Sequence, residues 1–171
     1  DELGDQRMIF VPSRVQNGSR SIYQEHYRYP RINTTDRGPG YNTPGYPVTH
    51  VLYSMPYDDI WKLLGRKNEL SYAYFDANYG IMNEYNLMIG ECTNGANFEP
   101  DANAKASTGK PLRIFYTQEL SRIALENCKT AREAIILMGA LIDRYGYYST
   151  GETLLVGDEN EAWVFEMCAL P

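Results

Sequence analysis

The sequence is poor in the residues that mark nucleic-acid-binding and membrane-spanning proteins. Lys and Arg number 16 against 22 Asp and Glu, so no positive surface is expected for a phosphate backbone. No apolar run approaches the ~20 residues that a bilayer-spanning helix needs. These shortages argue against nucleic acid as a partner and predict no membrane span.

Cysteine and histidine are also scarce. Cys92, Cys128 and Cys168 are odd in number and widely spaced, which is not the pattern of a disulfide framework. We expect each to be a small buried residue. His26 and His50 have no metal-ligand spacing, so we expect neither a metal nor a cofactor.

Aromatic residues, in contrast, are plentiful. The 171 residues include 15 Tyr, 5 Phe and 2 Trp, far more apolar surface than a disordered chain carries. We interpret the tyrosines as half-buried sheet positions, with an aromatic binding wall as the alternative. The length suits a single globular domain. Neither the start at Asp1 nor the composition indicates a compartment.

The first half of the chain reads as short strands joined by loops. Prolines and glycines break any period over residues 13–47, where we predict a long loop with one short strand near 22–29. Residues 56–64 predict a short helix that ends at Gly65. Short apolar runs predict further strands at 7–12, 50–55 and 71–76.

Two hairpins are predicted. Apolar runs at 79–82 and 87–92 flank a four-residue polar turn at 83–86, which is a hairpin signal. Asn86 is expected to take the left-handed conformation, which Asn tolerates better than most residues. The second hairpin is predicted within 153–167, around a polar turn.

A pair of helices is predicted between the hairpins. The first begins at Thr117, which we interpret as a capping residue, with Glu119 as an acid in the first turn. The second begins with the capping box of Thr130 and Glu133, continues as an apolar stripe and ends before Gly146. Strands, then helices, then strands predict an α+β fold.

Few residues indicate a particular catalytic or binding chemistry by themselves. The sequence has no phosphate-binding glycine loop and no nucleophile elbow. The acidic pairs Asp58–Asp59 and Asp158–Glu159 fall in predicted turns. We interpret them as solvated caps, with acid–base catalysis as the alternative.

Several segments together resemble the PepD-type dipeptidases, cysteine hydrolases of the N-terminal-nucleophile superfamily. Residues 80–87 are similar to that family's Gly-Ile-Asn-Glu-Tyr-Gly-Val hairpin, with Asn86 where the family has Gly. Residues 119–134 resemble its helix pair, and 158–166 resemble its Asp-x-x-Glu-Ala-Trp hairpin. Residues 8–12 resemble the strand that follows the catalytic start.

The resemblance implies a four-layer αββα sandwich, of which residues 1–171 form a single partial domain that is incomplete at both ends. It implies a dipeptidase in which the thiolate of an N-terminal cysteine attacks the peptide and its own α-amino group acts as the base. No cysteine lies near Asp1. We therefore expect the nucleophile upstream of this segment, and no activity from the segment alone.

The resemblance also implies partners. These are a small peptide substrate and the remainder of the parent chain, with a homo-oligomer left open. Two other functions stay open as well. One is an acyl-amide hydrolase of the penicillin or bile-salt acylase type, and the other is a non-catalytic, tyrosine-rich binding module.

Candidate site residues follow from the resemblance. Asn83 matches the family motif, and counting along the strand from it places an oxyanion donor near Thr93, with Asn94 adjacent. The resemblance implies that these three residues support the oxyanion or the substrate. For Asn83 and Glu84, fixing the hairpin turn is the competing interpretation.

Overall fold

The computed structural model describes residues 7–24 and 32–170. The chain has an α+β fold, and its elements follow the predicted order of strands, helix pair and strands. The helices are α1 (Tyr57–Leu64), α2 (Thr117–Asn127) and α3 (Ala131–Tyr145). The strands are β1 (Ile9–Val11), β2 (Ser19–Tyr23), β3 (Val51–Pro56), β4 (Tyr74–Asp76), β5 (Gly80–Asn83), β6 (Met88–Thr93), β7 (Glu152–Gly157) and β8 (Ala162–Met167).

The strand predicted near 22–29 is present in part. It is β2, which begins earlier than predicted and pairs with β3 in a two-stranded sheet. Residues 25–29 of that prediction lie outside the described residues. Residues 95–110 form a loop that contains isolated bridges and no helix or longer strand.

Six strands form one antiparallel sheet in the order β1-β4-β5-β6-β7-β8. Its inner face is covered by α2 and α3. Successive side chains of a strand alternate between the two faces, so residues such as Ile89, Leu154 and Val156 lie in the core beneath these helices. Its outer face is uncovered in the described chain and carries exposed apolar side chains. The most exposed of these are Phe10, Phe75, Met88, Leu155 and Val164.

Both predicted hairpins are confirmed, and their turns touch. Asn86 has a φ of 61°, the left-handed conformation that was predicted for it. Its side-chain amide donates to the Glu159 carboxylate in the β7–β8 turn at 2.8 Å. Asp158 of that turn accepts the backbone N–H of Ala131 at 2.7 Å, so the second hairpin also caps α3. The cap interpretation is thereby confirmed for Asp158.

Helix α3 begins and ends where the sequence predicts. The Thr130 hydroxyl accepts the Glu133 backbone N–H at 3.2 Å, and the Glu133 carboxylate accepts the N–H of Lys129 at 2.9 Å. The capping box thus reaches one residue further back than its usual form. Gly146 follows the helix with a φ of 71°, and a Cβ there would lie 1.8 Å from the Leu112 carbonyl oxygen.

The predicted capping residue of α2 is wrong. Tyr116 is the cap residue, with no side-chain capping bond, and Thr117 is already helical. Every residue of α2 is buried, and the carboxylates of Glu119 and Glu126 bond to arginines of distant segments. Glu119 does lie in the first turn, as predicted, and its carboxylate is buried in ion pairs with arginines.

A buried ionic network links α2 to the amino-terminal segment. Glu119 binds Arg37 at 2.6 Å, Arg20 at 2.7 Å and Arg122 at 3.1 Å, and Glu126 binds Arg20 at 2.8 Å. All five side chains are at most 2% exposed. The network therefore anchors residues 20 and 37, which lie in or near the predicted loop, to the centre of the fold.

The cysteines differ in their surroundings. Cys128 is buried, as predicted, whereas Cys92 and Cys168 are exposed. The expectation was wrong for Cys92 because its side chain lies on the uncovered outer face, and for Cys168 because it follows the last strand. Across the described ranges, no helix combines the length and apolar character needed to cross a membrane.

Candidate active site

Asn83 ends β5 and is buried, with 4% of its surface exposed. Its side-chain amide donates to the carbonyl oxygens of Leu125 at 2.9 Å and Cys128 at 2.8 Å. Its side-chain oxygen accepts the backbone N–H groups of Tyr85 and Leu87. Both amide hydrogens are committed to the end of α2. The contacts thus match the turn-fixing interpretation, and no donor is left for an oxyanion.

Glu84, the other residue of that interpretation, also serves the turn. Its carboxylate accepts the backbone N–H of Ala73 at 2.9 Å. The Glu84 N–H in turn donates to the Ala73 carbonyl at 3.0 Å. This pair of bonds fastens the β5–β6 turn to the residue before β4.

Thr93 is the last residue of β6 and is exposed. Its hydroxyl donates to the Glu91 carboxylate at 2.7 Å. Thr93 lies directly opposite Glu152 of β7, so their side chains project from the same face of the sheet. This places a threonine and two carboxyl groups together at the open end of the sheet.

The backbone amide of Thr93 is directed away from β7. In an antiparallel ladder, consecutive residues bond toward opposite sides of the strand, and the next amide, that of Asn94, donates to Gly151 at 3.1 Å. On the other side of β6, the register of β5 pairs Met82 with Met88 and does not extend to Thr93. The described strands therefore provide no acceptor for the Thr93 N–H.

Asn94 is held on both sides by the loop and strand around it. Its side-chain amide donates to the Thr153 hydroxyl, and its carbonyl oxygen accepts the Thr150 hydroxyl at 3.1 Å. The carboxamide is half-buried. Asn94 thus joins β6 to β7, and its backbone N–H is bonded to Gly151. The backbone N–H of Thr93, in contrast, has no acceptor on the described strands.

A pocket of about 580 Å³ opens at this end of the sheet. Thr93 and Glu152 line it from the sheet and Gln118 lines it from α2, while Glu99 and Asp101 line it from the 95–110 loop. None of its described lining residues is Lys, Arg or His. The aromatic part of the wall consists of Tyr79, Tyr116 and Tyr148.

Glu152 is the most perturbed group in the pocket. It is 1% exposed, and one of its oxygens accepts the Tyr116 hydroxyl. Burial raises the pKa of Glu152 to about 7, and the neighbouring Glu91 carboxyl group contributes to the shift. Both effects disfavour the charged form of Glu152.

The sequence did not point to Glu152, Gln118 or Tyr116. The strand alternation around Leu154 contained the signal for Glu152, because a residue two positions earlier on the same strand shares the inner face. Nothing local distinguished Gln118 from a solvated helix residue. The described chain contains no group of three or more His, Cys, Asp or Glu that could hold a metal ion.

The fold and the site together define an α+β protein with an acidic pocket at the open end of an antiparallel sheet, a place where a small polar substrate can bind. A comparison with protein-family models assigns the family. The model described as Peptidase family C69 matches residues 61–169, well over half of the chain. The chain belongs to this family of peptidases. A search of curated proteins and a search of solved structures found no match to the chain.

Proposed function

We propose that the protein is a dipeptidase that cleaves dipeptides with an N-terminal cysteine nucleophile. The observation that carries this proposal is the Thr93 amide, which has no acceptor on the described strands and lies beside a pocket of substrate size. The count along the strand from Asn83 that the resemblance implies also places an oxyanion donor near Thr93, with Asn94 adjacent. Membership of Peptidase family C69 supports peptide hydrolysis as the reaction.

The proposed nucleophile is none of the three cysteines in the sequence. The α-nitrogens of Cys92, Cys128 and Cys168 are all in peptide bonds, so none of them can serve as the free-amine base. Burial raises the pKa of the Cys128 thiol well above its ordinary value, which makes it a poor nucleophile. We place the reacting thiol on a cysteine that precedes Asp1 in the mature protein.

The reaction follows from this placement. The α-amino group takes the proton of the thiol, and the thiolate sulfur bonds to the scissile carbonyl carbon. The Thr93 N–H binds the oxyanion of the tetrahedral intermediate. The C–N bond then breaks, the leaving amine takes the proton, and water hydrolyses the resulting thioester to release the amino acid.

We further propose that a second sheet covers the outer face, completing four αββα layers in one domain of which residues 1–171 are part. The support is the uncovered apolar surface, because a soluble domain rarely leaves a contiguous face of this kind in water. Phe10 and Phe75 pack against each other there, with ring centroids 5.6 Å apart. Across β7 and β8, Leu155 lies opposite Val164 and extends the same surface.

A matched pair of substitutions tests this cover. Val164 on the outer face and Ile136 on α3 are 65% and 60% exposed in the described chain. In the full-length protein, Val164→Glu is expected to lower the free energy of unfolding by at least about 2 kcal/mol, because a covered charge has no partner. Ile136→Glu should change it by no more than about 0.5 kcal/mol. Equal small effects in urea denaturation would contradict the cover.

The proposed activity is tested with two substrate panels on the full-length protein. One panel contains dipeptides, and the other contains acyl amides of the penicillin and bile-salt type. We expect turnover of the dipeptides and at most weak turnover of the acyl amides. Preference for acyl amides would favour the acylase alternative, and turnover of neither panel would favour the non-catalytic binding module.

A further inference from the structure

Two buried acceptor atoms in the pocket have no hydrogen-bond donor within the part of the chain that the structure describes. They are Oε2 of Glu152 and Oε1 of Gln118, on side chains that are 1% and 3% exposed. An unpaired buried acceptor is energetically costly because it has lost its hydrogen bonds to water. Both residues line the pocket beside Thr93, so a bound group with N–H donors would remove this cost.

The charge of the pocket indicates the sign of that group. The described lining residues include three acids, Glu99, Asp101 and Glu152, and no basic residue. Glu91 adds a fourth carboxyl group next to Glu152. It accepts a hydrogen bond from the hydroxyl of Thr93. An anionic group such as a substrate carboxylate would be repelled there, and a cation with several N–H donors would be attracted.

We propose that this pocket binds the free α-ammonium group of the peptide substrate, with Glu152 and Gln118 as its acceptors. The assignment of the ammonium to a substrate rests on the proposed function. An ammonium group offers three N–H donors, which suits a carboxylate together with a carboxamide. Because Gln118 is not part of the acidic cluster, it supports a donor-bearing ligand independently of the charge.

The two proposed contacts lie at the same end of the pocket. In the first residue of a peptide, one Cα joins the ammonium nitrogen to the scissile carbonyl, and the two bonds are about 1.5 Å each. The two groups are therefore close neighbours. Thr93 and Glu152 are directly opposed on β6 and β7, where Cβ atoms lie about 4.5–5.5 Å apart. Both residues line the pocket, so a single bound peptide can contact both.

The raised pKa of Glu152 is consistent with this role. Without a cation nearby, burial and Glu91 keep the pKa of Glu152 near 7. An ammonium ligand would favour the ionised carboxylate. Glu152 would thus lose its proton when the ammonium binds, and the site would select against peptides whose amino group is blocked.

The experiment compares a free dipeptide with its blocked form on the full-length protein. Kinetics are measured with Ala-Ala and with N-acetyl-Ala-Ala for the wild type, Glu152→Gln and the control Glu69→Gln, whose side chain is exposed and away from the pocket. We expect the wild type to prefer Ala-Ala by about 100-fold in kcat/KM, and Glu152→Gln to lose about 10- to 100-fold on Ala-Ala, mainly through KM. Turnover of N-acetyl-Ala-Ala should stay unchanged, and Glu69→Gln should match the wild type.

Proportional losses on both substrates, or an unchanged preference in folded Glu152→Gln, would overturn the proposal. If Glu152→Gln does not fold, Gln118→Met replaces it as the test variant. We expect Gln118→Met to reduce the preference for Ala-Ala over N-acetyl-Ala-Ala by about 10-fold. An unchanged preference would contradict the ammonium site.

Binding separates this proposal from the proposed function. Alaninamide and N-acetylalaninamide are titrated calorimetrically, which needs no turnover. If Glu152-dependent alaninamide binding occurs without dipeptide hydrolysis, the proposed function fails and the ammonium site stands. If Ala-Ala and N-acetyl-Ala-Ala are hydrolysed equally well, the ammonium site fails and the dipeptidase stands.

Discussion

Glu119→Ala is expected to lower the free energy of unfolding of the full-length protein by about 3–5 kcal/mol, because it removes one partner of a buried ionic network. The Glu119 carboxylate binds Arg20, Arg37 and Arg122. Burial opposes its ionisation, but Arg37 and Arg20 overcome that effect and hold the pKa of Glu119 well below its usual value. Without it, three buried guanidinium groups lose a shared acceptor.

Urea denaturation measures this loss, and the exposed pair of Lys67 and Glu69 provides the control. Their side chains are 61% and 69% exposed, so Glu69→Ala should cost no more than about 1 kcal/mol. A similar cost for the two substitutions would contradict the structural role of the network.

The same network predicts the acid limit of stability. Burial would raise the pKa of Glu126, but Arg14 and Arg20 lower it to about 2. The contribution of Glu126 to stability is therefore complete above its ordinary pKa of about 4.5 and disappears as the pH falls toward 2. Glu126→Gln should flatten this part of the pH–stability curve.

Thr93→Pro is expected to lower kcat by about 10²- to 10³-fold, because it removes the backbone N–H that we assign to the oxyanion. The substitution suits this position for two reasons. Thr93 is the last residue of its strand, and its amide does not bond to β7, so no bond between β6 and β7 is lost. Cys92 before it is extended, as a residue preceding proline should be.

Thr93→Val is the matched control, since it keeps the amide and the branched shape and removes the hydroxyl. It should reduce kcat by less than about 10-fold. Both variants should melt within a few degrees of the wild type. Equal activity of the two folded variants would remove the Thr93 amide from the mechanism and leave the oxyanion donor unassigned.

Local sequence signals were sufficient for the parts of the fold that local contacts determine. The capping box at Thr130 satisfies the first amides of α3 from residues next to it, so the helix start could be predicted. Asn86 was predicted to be left-handed because the turn is short and Asn tolerates that conformation. Position 93 was identified only through the resemblance, because the state of its backbone amide depends on how three strands pair.

Contacts between distant segments could not be predicted in this way. Arg20 and Arg37 reach Glu119 across 99 and 82 residues, and nothing near Glu119 distinguishes a buried acid from a solvated one. The pocket has the same origin, because α2, β6, β7 and a loop form it together. Cys92 was expected to be buried because free cysteine is usually a small buried residue, whereas its side chain lies on the face of the sheet that the described chain leaves open.

The most direct test of the central claim identifies the thiol that reacts. The full-length protein is treated with iodoacetamide, with and without a dipeptide, and the labelled peptides are mapped as activity is lost. We predict that inactivation follows alkylation of a cysteine at the amino terminus of the mature chain, that the dipeptide protects it, and that Cys92→Ser leaves turnover intact. Inactivation that follows labelling of Cys92 or Cys168, or a mature chain without an N-terminal cysteine, would contradict the account.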